Sequence, residues 1–233
     1  MPPAAGKTSF TFIIFGDNRD GPQILDKIIE ETNKKNPVFC IDLGDLVPSG
    51  RESQYKAFMA QLEKLDVPVY TIPGNHDVHG DGRKFYNKLL GPDYYSFTYG
   101  GCQFLMLDNS TGKFSAEEYK WLDKDLKDNK NKYILAFFHM PTYSFYPRYS
   151  HHIMSDPEEA KKFMELAQKN HFLGIFTGHL HLYSSEKKNG TLYVTSGGAG
   201  APLHSTPFQG GFFHYITVKI DKGNINTEVI QVK

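Results

Sequence analysis

Cysteine is nearly absent. Cys40 and Cys102 are the only two thiols in 233 residues, too few for a disulfide framework, and both sit in apolar, strand-like runs where a thiol behaves as a small buried hydrophobe. Net charge is also absent: Lys plus Arg and Asp plus Glu each total 26. No global field therefore exists to hold a polyanion or an anionic membrane, and any phosphate affinity must be local. No apolar run approaches the ~20 residues of a membrane-spanning helix. The opening MPPAAGKTSF lacks the apolar core of a secretory signal, so the expectation is no membrane partner and a cytoplasmic protein, or an exported one whose signal peptide has been removed. No basic tract interleaved with aromatics is present, so no nucleic-acid partner is indicated. What is present is 39% apolar and 14% aromatic residues, enough for a sizeable core and too apolar for a disordered or collagen-like chain.

The apolar pattern alternates between two periods. Residues 8–15, 38–43 and 67–72 read as strands, and helical stripes of apolar residues lie between them, at Ile24, Leu25, Ile28 and Ile29 and at Tyr55, Phe58, Met59, Leu62 and Leu65. Such alternation predicts parallel strands joined by crossover helices. Residues 94–99 and 103–107 around Gly100-Gly101 read as a hairpin, and the capping signature Ser115-Ala-Glu-Glu118 and the stretch Ser155-Asp-Pro157-Glu158 open two further helices. Strands are predicted at 133–138 and 172–176, and from residue 182 the chain turns all-β, with Asn189-Gly190 as a hairpin turn. With no repeat or linker in view, the reading is a tail over residues 1–7 and one α/β domain over 8–233, with two packed sheets and flanking helices.

Metal-capable side chains fall where this architecture would use them. Asp17, Asp45, Asn75, His139 and His179 each stand in a loop just beyond a predicted strand, and His181 follows two residues after His179. Loops at the carboxyl ends of parallel strands share one edge, so residues distant in sequence can converge in one crevice. A carboxylate, amide and imidazole mixture suits Mn, Fe, Zn or Ni, and neither cysteine is placed to join it. Each Asp taken alone reads equally as a helix N-cap after a glycine turn.

In order, the chain carries Gly16-Asp17-Asn18-Arg19, Gly44-Asp45-Leu46-Val47, Gly74-Asn75-His76-Asp77, Phe138-His139-Met140-Pro141 and Gly178-His179-Leu180-His181. This series resembles the calcineurin-like metallophosphoesterase superfamily, which includes purple acid phosphatases, cyclic nucleotide phosphodiesterases and Ser/Thr phosphatases. The resemblance implies a four-layer α-β-β-α sandwich of two mixed sheets with flanking helices. It implies two divalent transition-metal ions (Mn, Fe, Zn or Ni) bridged by Asp45, with Asp17 and His181 completing the first shell and Asn75, His139 and His179 the second. It also implies a catalytic His76 off the metals, and hydrolysis of small-molecule phosphate mono- or diesters by a metal-bound hydroxide attacking phosphorus in line.

Two positions depart from that pattern. Arg19 stands where the resemblance leads one to expect a ligand His, and a guanidinium has no acceptor lone pair. The first site is then weak, or its shell is filled by water or Asp20, or Arg19 supplies part of the metal's charge. Arg19 is also the best candidate for a substrate contact, through its planar fork, although a surface ion pair with Asp20 accounts for it equally. Pro48 occupies the place of the purple acid phosphatase Tyr and of the Asp that orients the general-acid His in the protein phosphatase branch, so His76 is expected to act alone. A rival reading is a phosphoesterase fold that has become a binding module or scaffold. The Tyr-rich residues 142–150 and the neighbouring His151-His152 read equally as a substrate-facing loop or a surface loop, and His204 is placed over the rim of the site.

Overall fold

The computed structural model describes residues 9–233; residue 8 of the first predicted strand and the expected tail over 1–7 lie outside them. Numbered in chain order, β1 (Ser9–Phe15), β2 (Cys40–Asp42), β3 (Val69–Thr71), β10 (His214–Asp221) and β11 (Asn224–Gln231) form a sheet in the order β11-β10-β1-β2-β3. A second sheet has the order β4-β5-β6-β7-β9-β8, from β4 (Tyr95–Tyr99), β5 (Cys102–Met106), β6 (Tyr133–Phe138), β7 (Gly174–Thr177), β8 (Tyr183–Lys188) and β9 (Thr191–Ser196). Both sheets are mixed: β1, β2 and β3 run parallel, as do β5, β6, β7 and β9, and antiparallel strands complete the edges. The predicted strands at 38–43 and 67–72 are shorter in the structure, with three residues each in β2 and β3.

Side-chain alternation builds the layers. Phe10, Phe12 and Ile14 of β1 point between the sheets, where they meet Phe39, Phe104, Phe137 and Phe176, while Ile13 and Phe15 point outward. That outer face packs on α1 (Pro22–Lys35), α2 (Glu52–Leu62) and α3 (Gly82–Leu89), and α4 (Ala116–Asp128) with α5 (Pro157–Lys169) covers the other sheet. The result is the expected four-layer α-β-β-α sandwich. A strand buried on both faces has no need of polar alternation, which is why β1 reads as a continuous apolar run. Fully buried aromatics such as Phe12, Phe104 and Phe137 each contribute about 2–3 kcal/mol of burial free energy.

Local signals behave as their chemistry predicts. Ser115 Oγ accepts from the Glu118 amide at the start of α4, and the Asp156 side chain accepts from Glu158 and Glu159 at the start of α5. Asn189 and Gly190 both take positive φ at the β8–β9 turn. Helix α3 is not among the expected elements and is an addition of the structure; it packs Phe85, Tyr86 and Leu89 on the outer face of the first sheet. Cys40 and Cys102 are both free and lie in different layers, Cys40 under the helices and Cys102 between the sheets. No helix among the described residues is long and apolar enough to cross a membrane.

Candidate metal centre

The carboxyl ends of the parallel strands of both sheets deliver their loops to one edge. Asp17 follows β1, Asp45 follows β2, and His179 follows β7; each holds a left-handed backbone, with φ of 60°, 55° and 65°. Left-handed non-glycine residues are sparsely populated and persist where surrounding structure over-determines them. Here they turn each chain sharply off its strand and aim the side chain inward. Neither Asp caps a helix: Gly21 precedes α1 and Arg51 precedes α2. The cap reading of Asp17 and Asp45 is therefore excluded.

Two sets of side-chain donors result. Ligand atoms of Asp45, His139 and His179 lie within 4.8 Å of one another, and so do those of Asp17, Asp45 and His181, so that Asp45 belongs to both sets. Asn75 Oδ1 stands 3.2 Å from His139 Nε2, which places it with the first trio. The backbone amide of His76 donates to Asp45 Oδ1 at 2.9 Å, while its ring Nε2 lies 4.0 Å from Asp45 Oδ2. Arg19 Nε lies 3.5 Å from that same Oδ2, and Arg19 Nη1 pairs with Asp20. All the residues picked out in the sequence thus converge on one crevice.

Outer contacts fix the rings. His139 Nδ1 is 2.8 Å from the Leu43 carbonyl and His181 Nδ1 is 2.6 Å from the Pro202 carbonyl. A ring N–H donated to a carbonyl leaves the opposite nitrogen free to face the crevice. His76 Nδ1 reaches the Pro48 carbonyl at 2.8 Å. The expectation that His76 acts without an orienting partner is therefore corrected: a backbone oxygen does what a side chain at position 48 cannot. The glycine-rich loop after β9 lies close by, with the Ala201 amide donating to the Asp17 carbonyl at 2.7 Å. His204 stacks on His181 with ring centroids 3.9 Å apart, and His152 stands 6.4 Å from His179.

Two acidic residues escaped the sequence reading. Asp77 is fully buried and accepts from the amides of Gly74, Leu46 and Val47 at 2.7, 3.2 and 3.0 Å, which ties the loops after β2 and β3 together. Asp42, at the end of β2, is fully buried beneath it. Asp77 sits directly after His76 in its motif, the one signal that could have found it; Asp42 inside an apolar strand gave none.

Burial and close charges shift the titratable groups of the crevice. Burial raises the Asp42 carboxyl well above the usual range, and burial with the nearby Asp45 charge pushes Asp77 up to about 7. Burial pulls the His139 imidazole down, yet the Asp45 carboxylate, joined by Asp17, outweighs it and lifts His139 to about 10. Burial and the neighbouring His139 push His179 down to about 3. Asp17 Oδ1 is buried without a hydrogen bond, although His181 Nε2 is only 3.3 Å away. Buried carboxylates that outnumber their fixed cations are costly to fold unless further positive charge arrives. An oxygen and imidazole donor set of this spacing, with an orphaned carboxylate oxygen, fits divalent ions of the transition series.

Fold and crevice together define an α/β sandwich with a carboxylate-imidazole centre at the strand ends. The family described as Calcineurin-like phosphoesterase matches residues 10–183, and the chain belongs to that family. Among its relatives is the "Probable glycerophosphodiester phosphodiesterase GpdQ" of Arcobacter nitrofigilis, 26% identical over an alignment of 183 residues that covers 73% of this chain and 65% of that protein. Another is the "3',5'-cyclic adenosine monophosphate phosphodiesterase CpdA" of Haemophilus influenzae, 27% identical over an alignment of 185 residues that covers 72% of this chain and 62% of that one. The chain thus spans less than two thirds of these two relatives. Of solved structures, the purple acid phosphatase PPD1 of yellow lupin seeds superposes with a TM-score of 0.78 at 20% identity, covering 99% of this chain and 52% of that one. That likeness bears on the fold.

Proposed function

We propose that this protein is a metal-dependent phosphoric ester hydrolase acting on small phosphate esters, diesters in preference to monoesters. The observation that carries the reading is the pair of donor sets that share Asp45. Family membership supports hydrolysis, and the names of two relatives, both phosphodiesterases, support the diester preference.

In this reading Asp45 would serve both sites, Asp17 and His181 would hold one divalent ion, and Asn75, His139 and His179 would hold the other. Bound there, such ions supply Lewis acidity toward phosphoryl oxygens and lower the pKa of water. The carbonyls of Leu43 and Pro202 keep His139 and His181 in the tautomer that offers Nε2 to the crevice. His76 stays off the metals: with Nδ1–H donated to Pro48 and a second proton on Nε2, the imidazolium gives its Nε2 proton to the leaving oxygen and is left as the neutral ring. Arg19 makes no hydrogen bond through Nη2 among the described residues, so that nitrogen is available to a nonbridging phosphoryl oxygen. Recognition of phosphate is local, in keeping with the balanced charge of 26 acidic against 26 basic residues.

The test is hydrolysis of paired chromogenic phosphate mono- and diesters by chelator-stripped protein, with Mn, Fe, Zn, Ni, Mg or Ca restored singly. Turnover that returns with a transition metal, faster on the diester, supports the reading. No turnover with metals bound transfers the site to the binding-module reading.

A further inference from the structure

The two donor sets are not equivalent. Around His139 and His179, four side chains converge, since Asn75 Oδ1 joins Asp45, and among the described residues no arginine or lysine pairs with the oxygen of Asp45 on that side. Around Asp17 and His181, three carboxylate and imidazole side chains converge among the described residues, Asp45 included. On the shared Asp45, Oδ1 lies 3.4 Å from His139 Nε2, whereas Oδ2 lies 3.5 Å from the Arg19 guanidinium. Each oxygen of the bridging carboxylate therefore has a different claimant.

Arg19 is held in place. Its backbone amide donates to the Asp45 carbonyl at 3.1 Å, its Nη1 pairs with Asp20, and only 15% of its side chain is exposed. Its Nε is buried without a hydrogen bond, so charge rather than a directed bond couples it to Asp45. A guanidinium keeps its proton at any working pH, and a divalent ion approaching Oδ2 meets a permanent like charge in a place largely closed to screening water. Asp20 offers little compensation to an incoming ion, because its carboxylate is already engaged by the guanidinium.

We infer that the centre is asymmetric: one divalent ion binds tightly at Asp45, Asn75, His139 and His179, and the position at Asp17, Asp45 and His181 takes its ion at least tenfold more weakly, because Arg19 acts there as a built-in cation. The inference rests on the reading that both sets bind metal, and goes beyond it in ranking them and in giving Arg19 and its positioning partner Asp20 the cause. The chain would then work with a single ion at low metal supply and with two only when the metal is abundant.

The experiment is a titration of the chelator-stripped full chain with Mn2+, read by calorimetry and by electron paramagnetic resonance. The wild type should bind one equivalent first, with a mononuclear six-line spectrum, and show an exchange-coupled pair only as a second, at least tenfold weaker equivalent fills. Arg19→Gln should tighten the second equivalent at least tenfold, and Arg19→Lys should resemble the wild type. Equal affinities in the wild type overturn the inference without any variant, which covers the case of a variant that fails to fold; so does a gap that survives Arg19→Gln. Absence of Mn2+ binding overturns the metal reading as well. Missing ester hydrolysis with two unequal ions bound overturns only the proposed activity.

Discussion

His76 Nδ1 lies 2.8 Å from the carbonyl oxygen of Pro48, while the His76 amide donates to Asp45 Oδ1. One residue is thereby fixed from both its ring and its backbone, and the ring face left over looks into the crevice. A proline at position 48 removes a side-chain partner and still leaves its carbonyl, so the orientation of the ring survives the loss. A general acid positioned in this way contributes about 10²–10⁴-fold to turnover. His76→Ala should lose activity in that range while retaining the metal content of the wild type by elemental analysis. A loss of metal equal to the loss of activity would instead make His76 a ligand.

Gly74 marks the closest approach between the loops after β2 and β3. A Cβ there would stand 2.2 Å from the Asp45 backbone nitrogen and 2.3 Å from Asp45 Oδ1. Backbone cannot yield as the end of a flexible side chain can, so Gly74→Ala must move Asp45 itself. The expected outcome is a destabilisation of about 2 kcal/mol or more in urea unfolding, with Mn2+ affinity reduced at least tenfold. Unchanged affinity would show that the loops part without disturbing Asp45.

Asp77 answers three buried amides at once. Asp77→Ala leaves those donors unpaired and should cost about 3 kcal/mol or more in equilibrium unfolding. Asp77→Asn keeps one acceptor and should fall between the two. Identical stability of all three forms would remove Asp77 from its role as the tie between the loops.

Glu118 gives a pH signature away from the metal centre. Burial first, then the negative charge of Asp108 and Asp93, raise its carboxyl from 4.5 to about 8, against the pull of the Asp108 amide that it accepts at 2.8 Å. The folded chain thus binds this proton more tightly than the unfolded chain does. Its stabilising contribution is full below about pH 4.5 and is lost as pH rises through about 8. Glu118→Gln stays neutral, so its stability relative to the wild type should increase between pH 5 and pH 8.5 by on the order of a few kcal/mol. Unfolding midpoints at the two pH values decide this; a constant difference would show that the buried carboxyl does not titrate with folding.

The layers of the fold and the membership of the crevice were legible because both follow from periodicity. Strand runs at 8–15, 38–43 and 133–138 end in Asp17, Asp45 and His139, and parallel strands bring such ends to one edge. The Asn189-Gly190 turn was legible for a similar reason, since positive φ restricts the residue types that fit. What stayed hidden has no side-chain signature. The Pro48, Leu43 and Pro202 carbonyls orient three imidazoles, and every residue has a carbonyl. Asp42 hides within an apolar strand, and α3 is a short helix of eight residues between glycine-containing loops. The dual ion pairing of Arg19, with both Asp20 and Asp45, depends on a contact across 26 residues that no local pattern encodes.

The most direct measurement is the turnover of bis(4-nitrophenyl) phosphate by stripped protein as Mn2+ is added, with bound Mn2+ counted in the same samples. Hydrolysis should be absent without metal and rise with bound Mn2+, and both should be lost in Asp45→Asn, since both donor sets share that residue. Hydrolysis that persists in stripped protein, or that is retained in full by Asp45→Asn, would contradict the metal-dependent reading.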